Sequence, residues 1–313
     1  MVQKTQRNCA EVGRSVDVGG CMRFLNYGSV NIDLVFAVDH IVKGGETLHS
    51  SSLTKSAGGK GANQSAALAK AGASVFHAGK VGEDGQFLVD LLQSYGVDTS
   101  HIATYEGATG QAIIQLDTQK QNSIILYGGG NSAIKRDEID LVLKQFGPED
   151  MLVLQNEIVE TEYLITEAKK KGMQVCMNLA PFSKNALDLP LHVLDILVVN
   201  EIEGAALSNL DEDADFQKIL SVLMQRFEQS QIVLTVGKAG CWYGYKDVML
   251  HQEIYDTPVV DTTAAGDTFI GYYLASIARN HTIKEALYYA SKAAGLAVSK
   301  QGAMASIPLA KEV

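Results

Sequence analysis

The chain has 313 residues, 46% of them hydrophobic and 20% charged, with a mean hydropathy of +0.03, which describes a globular protein able to bury a large core as one domain or two smaller ones. A formal net charge of −10 argues against a general nucleic-acid or anionic-membrane surface, so an anionic ligand must be met by local groups such as helix ends, Lys60 or Lys238. The 4 cysteines, Cys9, Cys21, Cys176 and Cys241, form no CxxC pair or His cluster, which fits a reducing cytoplasm better than a disulfide framework or zinc site.

Residues 1–21 lack the apolar core of a signal peptide, because Glu11, Arg14 and Asp17 interrupt it. They read as an extension, disordered, vector-derived or an over-long gene assignment, ahead of one domain over 22–313. Met22-Arg-Phe-Leu-Asn-Tyr-Gly-Ser29 is a natural first strand, and no later apolar run reaches membrane-span length. Asn31 and Asp33 follow, residue types that on their own read as turn formers.

Two stretches, within about 34–57 and 107–129, break the pattern of the rest. Alternation in Ala112-Ile-Ile-Gln-Leu-Asp117 and Ser123-Ile-Ile-Leu-Tyr127 predicts antiparallel strands around a turn at Gln119 to Asn122. An apolar strand face without a helix above it needs a cover or a partner; two surface hairpins are the alternative. Between these stretches, Gly58-Gly-Lys-Gly-Ala-Asn63 is a glycine-rich loop ahead of a helix. It is not a Walker A loop, since Lys60 is followed by Gly61 and not by Ser or Thr, and alone it indicates phosphate binding only weakly.

From Met151 an α/β rhythm sets in: strands at Met151–Gln155, Gln174–Asn178, Val193–Val199 and Gln231–Val236, with a helix over Thr161–Lys171. Continuous Val, Ile and Leu in these strands imply a parallel sheet with helices on both faces, and ligands of such sheets bind beyond the carboxyl ends of the strands. Asn178, Asn200 and Gly237 stand at those ends. Asn200-Glu-Ile-Glu203 is ordinary helix-capping chemistry on its own terms, and a tight turn at Gly237-Lys-Ala-Gly240 would need glycine anyway.

Asp261-Thr-Thr-Ala-Ala-Gly-Asp-Thr268 carries the most chemistry. Ala264, Ala265 and Gly266 leave backbone amides accessible where an apolar helix begins, an arrangement suited to an anion. Asp267 beside bound phosphate is a poor phosphate ligand but a good base for an attacking hydroxyl; an acid stabilising the helix dipole is served equally well by the same spacing.

This segment, through Phe269, resembles the C-terminal signature of the ribokinase-like (PfkB) family of sugar and nucleoside kinases, and Ala57-Gly-Gly-Lys-Gly-Ala-Asn-Gln64 is similar to that family's N-terminal signature in the form of its ribokinase branch. The resemblance runs from about Tyr27 to Pro308. It implies a three-layer α/β fold, a central mainly parallel sheet flanked by helices, with a small β-sheet lid that pairs two copies into a homodimer. It further implies that Asn31, Asp33, Gly59, Lys60, Gly61, Asn63 and Glu157 meet a sugar, D-ribose in preference to another sugar or a nucleoside. Asn200, Thr235, Gly237, Lys238, Gly240, Gly266 and Ser291 would serve ATP, and Glu203 would hold Mg²⁺ through water. Asp261, Thr263, Ala297, Lys300, Gly302 and Ser306 would surround K⁺ or a similar monovalent cation mostly with backbone oxygens, although Met304-Ala305 departs from the Pro that some members carry there. Asp267 would act as base, with the Ala264, Ala265 and Gly266 region as anion hole. A sugar-responsive sensor would not need that base, and a dinucleotide-dependent oxidoreductase would need a G-x-G-x-x-G after the first strand, which is missing.

Overall fold

A computed structural model describes residues 22–313; the extension read over 1–21 lies outside the described residues. The main sheet has 9 strands. In chain order these are β1 (Arg23–Tyr27), β4 (Ser74–Val81), β5 (Asp98–Thr104), β8 (Met151–Gln155), β9 (Gln174–Asn178), β10 (Ile196–Asn200), β11 (Gln231–Thr235), β12 (Cys241–Tyr245) and β13 (Val248–Gln252). Across the sheet the order is β13-β12-β11-β10-β9-β8-β1-β4-β5, with parallel pairing from β11 to β5 and, on the other edge, β12 antiparallel to β11 and β13 antiparallel to β12.

Both faces of this sheet are covered, so its strands carry apolar residues without alternation. Successive side chains point to opposite cores: Phe24, Val153, Val198 and Val233 join one, while Leu25, Leu152, Leu197 and Ile232 join the other. The first core is closed by α1 (Lys60–Lys70), α2 (Gln86–Ser94), α7 (Ala265–Ala278) and α8 (Ile283–Val298). The second is closed by α3 (Arg136–Leu143), α4 (Thr161–Lys170), α5 (Glu201–Ser208) and α6 (Phe216–Arg226). The chain therefore has the expected three layers. The strand expected over Val193–Val199 begins only at Ile196, because a 3₁₀ turn at Leu191–Val193 seats Leu191 and Leu194 in the second core before the ladder starts.

The second sheet has 4 strands in the order β3-β2-β6-β7: β2 (Asn31–Ala37), β3 (Ser52–Gly58), β6 (Gly110–Leu116) and β7 (Asn122–Tyr127). β6 and β7 are antiparallel about the expected turn, and β2 and β3 are antiparallel as well. The central β2–β6 pair is parallel, a pairing the alternation alone does not specify. The intervening α1, β4, α2 and β5 supply the long crossover that a parallel neighbour requires. β2 also starts at Asn31, so Asn31 and Asp33 are strand residues at the root of this sheet and not turn residues.

α1 and α7 pack unusually close. A Cβ on Gly271 would lie 2.4 Å from Ala67 Cβ, so only glycine permits this approach. It brings the start of α1 to the start of α7, where the two sequence motifs meet.

Candidate functional site

At the entrance of α1 the backbone turns through Gly59, whose φ of 95° and whose distance of 2.8 Å from a would-be Cβ to the Ser29 carbonyl both require glycine. Ser29, fully buried, organises the turn. Its carbonyl accepts from Ala62 N–H at 2.9 Å, its hydroxyl accepts from Gly61 N–H at 3.2 Å, and that hydroxyl donates in turn to the Glu157 carboxylate. Glu157 also accepts from Lys60 N–H at 3.1 Å. Burial pushes the Glu157 carboxyl up, against the opposing pull of these donors and the Lys60 charge.

Asp33 lies across β2–β3 from this turn. A Cβ on Gly58 would come 2.1 Å from Asp33 Oδ2, so the missing side chain makes room for the carboxylate. Burial, reinforced by the charge of Glu157, pushes the Asp33 carboxyl up to about 6. Beside it, Val30 N–H donates to Asn131 Oδ1 at 3.1 Å, which obliges Asn131 Nδ2 to donate to Asn31 Oδ1, 2.7 Å away. The amide orientation of Asn31 follows: its oxygen is occupied, and its NH₂ is what it offers to a ligand.

Asp267 sits in the first turn of α7, 6% exposed. Both of its oxygens are held by α1: Asn63 Nδ2 donates to Oδ2 at 3.0 Å, and Gln64 Nε2 donates to Oδ1 at 2.9 Å. The Asn63 Oδ1 atom is buried with no partner, an acceptor in want of a donor. Ala264 takes a left-handed conformation, φ 59°, to start the helix. The Ala265 N–H is engaged by the Thr262 carbonyl at 3.2 Å, whereas the Gly266 and Asp267 N–H groups have no hydrogen-bond partner among the described residues. A Cβ at Gly266 would meet nothing within 4 Å, so no protein neighbour dictates glycine there.

These helix starts open onto a cavity of about 220 Å³. Lys60 and Asp267 line it on one side, and Ala264, Ala265 and Gly266 form part of its floor. Asn200 and Thr235 come from the carboxyl ends of β10 and β11, and Glu203 from the first turn of α5. Asn178 and Val199 complete that wall, while Asn31, Asp33 and Glu157 stand outside the lining at the root of the small sheet. Asn200 and Glu203 do form a reciprocal cap on α5, each accepting the other's backbone N–H at 2.9 Å. That cap engages Glu203 Oε2 alone. Burial pushes the Glu203 carboxyl up, while its bond to Asn200 N–H and the Lys60 charge pull it down.

Beyond Thr235 the chain makes a 3₁₀ turn, with Gly237 at φ 52° and Gly240 at φ 88°; a Cβ on Gly240 would strike the Gln252 carbonyl at 2.1 Å. Lys238 is exposed on this turn. Ser291 is on α8, buried, with its hydroxyl 3.9 Å from Cys241 Sγ, and it does not line the cavity. A larger open hollow of about 310 Å³ beside Thr282, Lys284 and Tyr288 contains none of the residues singled out from the sequence.

Asp261 joins two distant segments. Its Oδ1 accepts from Thr263 N–H at 2.9 Å and from the Thr263 hydroxyl at 2.6 Å, and its Oδ2 accepts from Gly302 N–H at 3.0 Å. Burial acts to raise its carboxyl, but these donors outweigh it and hold the group below the ordinary aspartate value. Asp261 N–H donates to the Val298 carbonyl at 3.1 Å, and along that same segment the Ala297 carbonyl accepts from Lys300 N–H at 3.1 Å and Ser306 N–H donates to the Ala303 carbonyl at 3.1 Å. An ionised carboxylate among backbone oxygens suits a hard cation, and Glu203 Oε1, free of the cap, suits a hydrated divalent ion. Among the described residues, no group of 3 or more His, Cys, Asp or Glu comes together as a metal cluster.

Ser29, Gln64, Asn131 and Gln155 were not singled out from the sequence. Gln64 could have been, as the last residue of the glycine-rich motif; Ser29 and Asn131 act through backbone neighbours that the sequence does not display, and Gln155 reads only as the polar end of a strand.

The sequence model of the pfkB family carbohydrate kinases matches residues 23–310. The chain is 34% identical to a ribokinase of Haemophilus influenzae over 91% of this chain and 95% of that protein. It is 32% identical to a ribokinase of Staphylococcus aureus, over 91% and 96% respectively. A deoxyribokinase of Salmonella typhimurium is 29% identical, over 90% and 94%. Among solved structures, a Cryptococcus neoformans ribokinase in complex with ADP superposes with a TM-score of 0.83 at 31% identity, covering 94% of this chain and 98% of that one. An Arabidopsis thaliana ribokinase complexed with ribose and ATP gives 0.82 at 28% identity, covering 94% and 97%.

Proposed function

The chain belongs to the pfkB family of carbohydrate kinases, phosphotransferases that act on a hydroxyl group, and on that premise we propose that it transfers the γ-phosphate of ATP to the 5-hydroxyl of D-ribose. The observation that carries the reading is Asp267: a buried carboxylate, both oxygens held by neutral amides, beside two unpartnered backbone N–H groups at the start of α7. The sugar hydroxyl attacks the γ-phosphorus, its proton passes to Asp267, and the bond to the bridging oxygen breaks so that ADP leaves with the electron pair. The Gly266 and Asp267 N–H groups supply hydrogen bonds to the charge that develops on the transferring group. Lys60, on the cavity wall, adds a positive charge in a chain that is otherwise acidic.

On the sugar side, the NH₂ of Asn31, the carboxylate of Asp33, the vacant acceptor of Asn63 and Glu157 offer donors and acceptors to adjacent hydroxyls. A carboxylate that accepts from two hydroxyls discriminates against a sugar lacking one of them, which favours ribose over deoxyribose. Thr235 and the Gly237–Gly240 turn border the nucleotide side. Mg²⁺, held through water by Glu203, would neutralise charge on the nucleotide phosphates. Asp261 with the carbonyls near Thr263, Ala297 and Gly302 would hold K⁺ and so fix the loop that leads into α7. The exposed apolar face of β7, with Ile125 59% exposed, would pair two copies through the small sheet.

The test is ADP release with Mg²⁺-ATP and K⁺ across D-ribose, 2-deoxyribose, other pentoses, fructose and nucleosides. The reading expects the highest kcat/KM with D-ribose. A higher value with deoxyribose or a nucleoside moves the substrate to that compound, and no turnover with any of them overturns the kinase reading of this site.

A further inference from the structure

We infer that Gln64 is a positioning residue for Asp267, and that its amide is locked in a donating orientation by a buried relay running back through Gln155 and Asn26 to the Gly61 carbonyl. Gln64, Gln155 and Asn26 come from α1, β8 and β1, and all three are completely buried. A backbone carbonyl can only accept, so the Asn26 group 2.9 Å from Gly61 O is its NH₂, which also reaches Ser65 Oγ at 2.9 Å. Asn26 Oδ1 is thereby turned to Gln155 Nε2, 3.1 Å away. The same Gln155 NH₂ donates its second hydrogen to Gln64 Oε1 at 2.7 Å. With its oxygen taken, Gln64 has only its NH₂ to present to Asp267 Oδ1, at 2.9 Å. A flipped Gln64 amide would set oxygen against the carboxylate and NH₂ against NH₂, so each link forbids the reversal of the next.

The relay's other branch ends at His77, whose Nδ1 lies 2.8 Å from Ser65 Oγ. Burial pushes that imidazole down to about 4, so it is neutral and carries no charge toward the site. The relay is therefore a device for direction, not for charge. Asn63 alone would hold Asp267 by one oxygen and leave it free to rotate; Gln64 on the second oxygen fixes the carboxylate plane, and with it the direction of the lone pair open to a substrate proton. Near-attack geometry lost by about an ångström can cost ~10²-fold in turnover.

This inference rests on the assignment of Asp267 as base, and the experiment separates the two. Gln64→Met keeps the volume and removes the donor; Asp267→Asn and the double variant complete a cycle, with ADP release followed at high enzyme concentration and thermal melts as the check on folding. Gln64→Met should lower kcat by roughly 10- to 100-fold with KM for sugar and ATP within about twofold, and should cost less than about twofold when added to Asp267→Asn, because its effect passes through that carboxylate. Gln155→Met, one link further away and touching no reacting group, should show the same split with a smaller loss, and it carries the test if Gln64→Met does not fold. Unchanged kcat in the folded variants, or a loss that adds fully to that of Asp267→Asn, overturns the inference. Near-normal turnover of Asp267→Asn by itself overturns the base assignment instead.

Discussion

Acidification should weaken sugar binding through Asp33. The Asp33 carboxyl stands at about 6, raised from 3.8 first by burial and then by the Glu157 charge, so within the folded protein the group changes charge close to neutrality. Because the folded value is the higher one, the empty fold retains a proton between about 4 and 6 that the unfolded chain has lost. Asp33's contribution to stability is therefore full below about 4, falls as pH rises through that window, and is flat above about 6. Sugar binding runs the other way, since only the carboxylate can accept from two hydroxyls at once. Between about pH 7 and pH 5 the ionised fraction falls about tenfold, which is ~1.4 kcal/mol of binding. The assay is sugar affinity, by calorimetry with the ATP site empty, between about pH 8 and pH 5. The wild-type protein should bind with nearly constant affinity above about pH 7 and about tenfold more weakly at pH 5 than at pH 7, while Asp33→Asn binds weakly at every pH. An affinity that is level across the whole range, or an Asp33→Asn protein with the wild-type slope, would refute the reasoning.

Gly59→Ala forces a Cβ to within 2.8 Å of the Ser29 carbonyl at a φ of 95°, and should lose ~1–3 kcal/mol of stability with a raised sugar KM, read by thermal melts and steady-state kinetics. Asp261→Ala removes the acceptor shared by Thr263 and Gly302, so stimulation of kcat by K⁺ should disappear while the protein stays folded; retained stimulation would place the cation elsewhere. Ile125→Asp puts a charge in the exposed apolar face of β7; if two copies pair through that face as proposed, sedimentation velocity should show a dimer for the parent protein and a monomer for the variant.

The parts of this molecule that were legible in the sequence are those whose residues act locally. Continuous Val and Ile in β10 and β11 announce a sheet covered on both sides, and the two halves of the site announce themselves as glycine-rich and small-residue stretches at helix starts. Partnership was less legible. Alternation in β6 revealed a half-covered strand but not that its neighbour β2 runs parallel, since that depends on the crossover between them. Asn31 and Asp33 resembled turn residues because their strand identity comes from pairing with β3 and β6. The orientation of Gln64 was out of reach entirely: it is fixed by Gln155, 91 positions away, and through that residue by Asn26. Hydrogen-bond polarity is a property of assembled neighbours, and no single stretch of sequence states it.

Whether Asp267 takes the proton of the attacking hydroxyl, as proposed, is read from the turnover of Asp267→Asn with Mg²⁺-ATP and saturating D-ribose, alongside its affinity for ATP. If Asp267 is the base, kcat falls by ~10²–10⁴-fold with ATP affinity changed by less than about threefold, because a general base contributes to the chemical step and not to holding the nucleotide. Near-wild-type kcat in a folded, ATP-binding Asp267→Asn protein would contradict it.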